Sequence, residues 1–124
     1  MNIGVVPDGG ELDRAAVVEV LGRLFGDDED LRDGVAAGEF AELLWDGERI
    51  RSQWFVQPGS AGVTELVVDM GDAFPGLPPE GYRAEAARVV EILREVAAAA
   101  GGRLIVEEAD MTDAPVGDVV DAIV

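Results

Sequence analysis

Between residues 40 and 70 apolar and polar side chains largely alternate, whereas at 11–25 and 82–100 the apolar ones recur every three or four positions. A period of two is the signature of strands and a period near 3.6 that of helices. A chain with alternating runs bracketed by two helical stripes is confined to the α+β class, because each stripe must be buried on the sheet.

The middle segment carries the sharpest local signal. Asp46-Gly47 stands between Phe40–Trp45 and Glu48–Val56, and a two-residue Asp-Gly connection favours a type I′ hairpin. That turn predicts Trp45 opposite Glu48, Leu43 opposite Ile50, Ala41 opposite Ser52 and Glu42 opposite Arg51. One face then gathers Leu43, Ile50, Trp54 and Val56. The other mixes Glu42, Arg49, Arg51 and Gln53 with Phe40, Leu44 and Phe55. Pro58-Gly59-Ser60-Ala61-Gly62 makes the next turn, and Val63 to Met70 completes a meander with Leu66, Val68 and Met70 on one side.

Around it, Ile3-Gly4-Val5-Val6 reads as a first strand ended by Pro7-Asp8-Gly9-Gly10. Glu11 to Phe25 reads as a helix with a stripe of Val17, Val20, Leu21, Leu24 and Phe25, closed by Gly26 and weakened by Gly22. Asp27 to Gly38 lacks periodicity and is expected to be a loop or at most a helical turn. The prolines at 75, 78 and 79 exclude a regular element over 71–79 and prepare a second helix, in which Tyr82, Ala86, Val89, Val90, Leu93, Val96, Ala97 and Ala100 repeat until Gly101-Gly102. Leu104-Ile105-Val106 is a last strand. The expected order is β-α-β-β-β-α-β: an antiparallel or mixed sheet of about five strands with two helices on one face. One domain is expected over 1–124, with 109–124 a loosely ordered tail whose cluster from Val116 to Val124 forms a final helical turn.

Composition narrows function more than motifs do. The chain holds 26 Asp and Glu against 9 basic residues, a net charge of −17, and every basic residue is Arg. No segment is basic, which argues against nucleic acid and against an anionic membrane surface, since both need clustered cations. No apolar run approaches the roughly 20 residues of a membrane span, and a cytoplasmic location is expected. Cys, His and Lys are absent, so the usual activators of a nucleophile are missing and no cofactor or metal is expected. The acids at 27–33 fail the EF-hand template: with Gly34 at its sixth position, the third is Leu31 and the twelfth Phe40. Asp69, Asp72, Glu107, Glu108 and Asp110 are the acids to inspect for carboxylate chemistry, with a surface role expected.

The chain is therefore expected to be a non-enzymatic acidic module, inhibitory or adaptor-like, that contacts a basic protein. Asp27, Asp28, Glu29, Asp30 and Asp33 would pair with the partner's cations, while Trp45, Arg49 and Arg51 would supply anchors of the types that dominate interfaces. A small-molecule binder or carboxylate enzyme, with Asp69 or Glu107 in a pocket between sheet and helices, is the alternative. A structural domain that pairs with a second copy is the third. Trp54 is expected in the core and Trp45 at the end of the hairpin.

Overall fold

A computed structural model describes residues 2–48, 50–70 and 79–123. Its elements are β1 (Asn2–Pro7), α1 (Arg14–Phe25), a wide π-helical turn (Asp30–Val35), β2 (Ala41–Asp46), β3 (Arg51–Pro58), β4 (Val63–Asp69), α2 (Pro79–Ala100), β5 (Gly102–Val106), β6 (Ala109–Asp110) and α3 (Val116–Ile123). The sheet order is β2-β3-β4-β1-β5-β6, and every neighbouring pair is antiparallel. The α+β class stands, with an antiparallel sheet of six strands rather than about five and α3 as a third helix.

The pleat sorts the strands into two faces. Leu43, Trp54, Val68, Ile3 and Val106 lie in one cross-strand row, and Ala41, Val56, Leu66, Val5 and Leu104 in the next; all ten are buried. The helices pack on this face. All eight apolar positions predicted for the second helix are buried, as are Val17, Val20 and Leu21 of α1. Trp54 is 0% exposed; its ring meets Phe25 of α1 edge-on at 5.5 Å, and its Nε1 donates to Ser52 Oγ at 2.8 Å. Trp45 is half-buried against the edge of this core, as expected.

Three expectations change. The hairpin closes on Gly47 and Ile50, with the Gly47 N–H donating to the Ile50 carbonyl at 2.8 Å, so Trp45 faces Ser52, Leu43 faces Trp54 and Ala41 faces Val56. The turn thus sits two residues later than Asp46-Gly47 predicts. Gly47 does not have the positive φ that a type I′ turn demands of its central residues. Glycine leaves room there for the Glu85 carboxylate of α2 and the Trp45 ring, which a Cβ would push aside. Because opposite residues slip by an even number, each described side chain keeps its predicted face.

Second, α1 begins at Arg14 rather than Glu11, with Asp13 as N-cap accepting from the Ala16 N–H at 3.3 Å. Third, residues 109–123 form a strand and a helix, more than the single helical turn expected. β6 pairs with β5, and Val119, Val120 and Ile123 of α3 are buried in the core. Asp110 ties this end together: its Oδ1 accepts from the Thr112 N–H at 3.0 Å and hydroxyl at 2.6 Å, and its Oδ2 from Arg103 Nε at 2.9 Å. The Thr112 hydroxyl and N–H, then Arg103, hold its pKa down to about 2. A carboxylate with a depressed folded-state pKa stabilises the fold above its unfolded value of about 3.9, and that contribution disappears as pH falls through the folded pKa. Asp110→Asn is therefore expected to lower the urea midpoint at pH 7 and to narrow the gap to wild type between pH 4 and 2. A gap that is independent of pH would refute the assignment.

The expected irregular stretch at 71–79 lies, up to residue 78, outside the described residues. No helix among the described residues is long and apolar enough to cross a membrane.

Candidate docking surface

Among the described residues, no helix lies above the side chains on the second face of the sheet. One row crosses all six strands: Glu42, Phe55, Val67, Gly4, Ile105 and Asp110 stand in succession, apolar in the middle and acidic at both ends. Phe55, Val67 and Ile105 are half-buried, and none of them packs against the core cluster. On β2 and just before it, Phe40 and Leu44 are 51% and 52% exposed, large apolar side chains open to solvent. Phe40 stacks on Phe55 with ring centroids 6.5 Å apart. The result is an apolar band that widens toward the β2 edge.

Charge borders that band. Glu42 Oε1 accepts from Gln53 Nε2 at 3.2 Å, and Asp46 Oδ1 pairs with Arg51 Nε at 2.7 Å. Glu65 and Asp69 project from β4 on the same face, in register with Gln57 and Gln53. Arg103 is paired with Asp110. The exposed Glu42–Gln53 and Asp46–Arg51 contacts are of a kind that contributes little to stability, so a partner can compete for them.

Seven of the eight residues singled out from the sequence divide between the two sides. Asp27, Asp28, Glu29, Asp30 and Asp33 lie on the helix side, where the π-helical turn packs on β2 through buried Leu31 and Val35. Three of these acids have local tasks. Asp28 Oδ1 accepts from the N–H groups of Asp30 at 2.9 Å and Leu31 at 3.2 Å, and Asp27 and Asp33 flank Arg32 at 2.6 and 3.4 Å. Trp45 also faces the helix side. Arg51 is on the open face, and Arg49 lies outside the described residues. Phe40, Leu44 and Phe55 were legible as part of a mixed hairpin face; Val67, Gly4 and Ile105 joined them only once the strand order was known.

Comparison with protein families, curated proteins and solved structures finds no match. The site must therefore be read from its own chemistry.

A concavity lies where α1 begins, an open cleft of about 1090 Å³ walled by Ala15, Val18, Ala36 and Ala100 with Glu11 and Arg14 at its side. Asp13 and Glu19 also line it, and Glu11 and Arg14 bond within the chain, although the buried Arg14 Nε has no partner among the described residues. Glu11 accepts from the backbone N–H groups of Ser60, Ala61 and Gly62 and from the Ser60 hydroxyl, and the Ala61 N–H leads the set that lowers its pKa. Arg14 Nη2 donates to the carbonyls of Gly62 at 3.2 Å and Gly59 at 3.4 Å. Leu12 and Val63 exchange both backbone bonds beside them, so the pair clamps the β1–α1 connection to the β3–β4 turn. Neither Asp69 nor Glu107 lines this cleft. Among the described residues no group of three or more carboxylates gathers closely enough to hold a metal ion.

Proposed function

We propose that the chain is a non-enzymatic acidic binding module that covers a basic surface of another protein with the open face of its sheet. The observation that carries this reading is the pair Phe40 and Leu44, half exposed beside Glu42 and Asp46 on a face that no helix among the described residues covers. Large exposed apolar patches rimmed by polar groups mark interaction sites. Apolar side chains supply the desolvated centre of such an interface, and the carboxylates around them select a partner that carries Arg or Lys at matching positions. The net charge of −17 speeds encounter with that partner and repels nucleic acid. The absence of His, Cys and Lys supports contact rather than turnover.

The site named here is the sheet face, with Arg51 as its one basic member among the residues expected from the sequence; the acids at 27–33 become a secondary, helix-side contribution to the field. A partner captured from the native host at low ionic strength and identified by mass gives the assay. Leu44→Arg, on an exposed position, is expected to weaken its binding about 30-fold or more, the loss typical of a hot-spot residue. Asp30→Asn should change it less than about threefold, the scale of a peripheral charge. Unaltered affinity in the first variant, or a greater loss in the second, would remove the sheet face from the interface.

A further inference from the structure

β2 is the outermost strand of the sheet at its longer edge. Which of its backbone groups are spent follows from the hairpin's closing bond. Gly47 and Ile50 exchange a hydrogen bond, and in an antiparallel ladder directly opposed pairs alternate between bonded and non-bonded. Trp45, Leu43 and Ala41, paired with Ser52, Trp54 and Val56, are therefore the residues whose N–H and C=O point into the sheet. Glu42, Leu44 and Asp46 point theirs outward. Among the described residues, no strand lies beyond β2, and no backbone bond from a turn or loop reaches these three residues.

The same three residues carry their side chains on the open face, in the order acid, apolar, acid. Backbone donors and side-chain pattern thus coincide at every second position. Building on the docking face proposed above, we infer that β2 receives an extended segment of the partner as a seventh strand, with basic, apolar and basic side chains opposite Glu42, Leu44 and Asp46. Strand addition of this kind takes affinity from main-chain bonds and specificity from alternate side chains. The basic residues reach carboxylates of which Oε1 of Glu42 bonds Gln53 and Oδ1 of Asp46 bonds Arg51. The apolar residue extends the band formed by Leu44, Phe40 and Phe55. A second copy of this chain fits worse, because it brings the same acids to the junction and a further charge of −17. Acids on an edge strand are a known bar to self-pairing, and here the same acids admit a basic strand.

The probe is a synthetic seven-residue peptide in which threonine alternates with arginine, valine and arginine. It is titrated into the whole chain at low salt and followed by amide exchange and chemical shift. Amide exchange at Glu42, Leu44 and Asp46 should slow at least about tenfold at saturation, with Leu43 and Trp45 unchanged because their amides are already bonded to β3. The peptide methylated on its valine and arginine backbone nitrogens should not bind. Leu44→Pro, which removes an outward N–H and leaves the β3 ladder intact, should abolish protection. If both peptides bind equally and shifts are confined to Phe55, Val67 and Ile105, strand addition is overturned while the docking face survives. If neither peptide binds and Leu44→Arg leaves the captured partner's affinity intact, both fall. Self-association that Leu44→Pro abolishes would overturn the basic partner in favour of a second copy.

Discussion

Trp54→Ala is expected to destabilise the chain by about 3–5 kcal/mol, the range for removing a fully buried large aromatic side chain. The residue sits in the row Leu43, Trp54, Val68, Ile3, Val106, with β2 and β4 on either side and the helices above. Its removal deletes the edge-on contact with Phe25 and the partner of the only buried polar side chain among the described residues, Ser52. A domain of this size holds about 5–15 kcal/mol in all, so the loss is a large share of the total. Urea denaturation gives the midpoint, and an unchanged slope would show that the folded state is still compact. Trp54→Phe separates the two contributions. It keeps a ring against Phe25 and leaves the Ser52 hydroxyl unpaired, for which about 1–3 kcal/mol is expected. If the alanine variant lost less than 1 kcal/mol, the helix layer would not be closed over β3.

How far the sequence disclosed this arrangement depends on the range of the interaction concerned. Alternation assigned Leu43, Ile50, Trp54 and Val56 to one face, and all four are buried, because the period of a strand is a local property. The hairpin register was not legible: Asp46-Gly47 signals a turn locally, but Gly47 lies against Glu85, a residue 38 positions away, and no window around the turn contains that contact. Glu11 was misread for the same reason. As an acid before a helical stripe it looks like a first turn, yet its partners are N–H groups at 60–62 in the β3–β4 turn. Leu31 and Val35 are spaced four apart as on a helix, but five carboxylates around them made the segment read as solvated. In the tail, Val119, Val120 and Ile123 had helical spacing over a span too short to stand without α2 beneath it.

The candidate site was visible in half. The hairpin's mixed face, with Phe40, Leu44 and Phe55 among Glu42, Arg51 and Gln53, is a pattern of residues in sequence order, and it correctly marked a surface that is neither core nor plainly solvated. The extension through Val67, Gly4 and Ile105 depends on β1 lying between β4 and β5. That order brings together residues 4, 67 and 105. Acid density, by contrast, pointed to 27–33, where Asp28 and the Asp27–Arg32–Asp33 group are occupied in building the turn itself. The proposed docking face rests instead on alternation of charge with exposed apolar residues along one strand.

Gly4 makes the second large prediction, and it runs against the general rule that alanine in place of a strand glycine is stabilising by about 0.5–1 kcal/mol. The residue lies at the centre of the sheet, between Val67 of β4 and Ile105 of β5, where the open face is most apolar. A Cβ added there would stand 2.5 Å from the Leu66 carbonyl oxygen and 3.4 Å from Val67 Cα. These are backbone atoms held in a ladder, with no flexible side chain to yield, so β1 and β4 must part or twist. Overpacking of this kind costs about 1–3 kcal/mol, which outweighs the gain in chain entropy and reverses the sign. Gly4→Ala is accordingly expected to lower the urea midpoint and to speed amide exchange in β1 and β4 before it does so in β2. Gly22→Ala is the control. It sits in α1 with nothing within 4 Å of the added carbon, and it should raise stability by about 0.5–1 kcal/mol. Equal stabilisation by both substitutions would mean that β1 and β4 are not packed at the distance described, and the continuous apolar row across the open face would lose its central link.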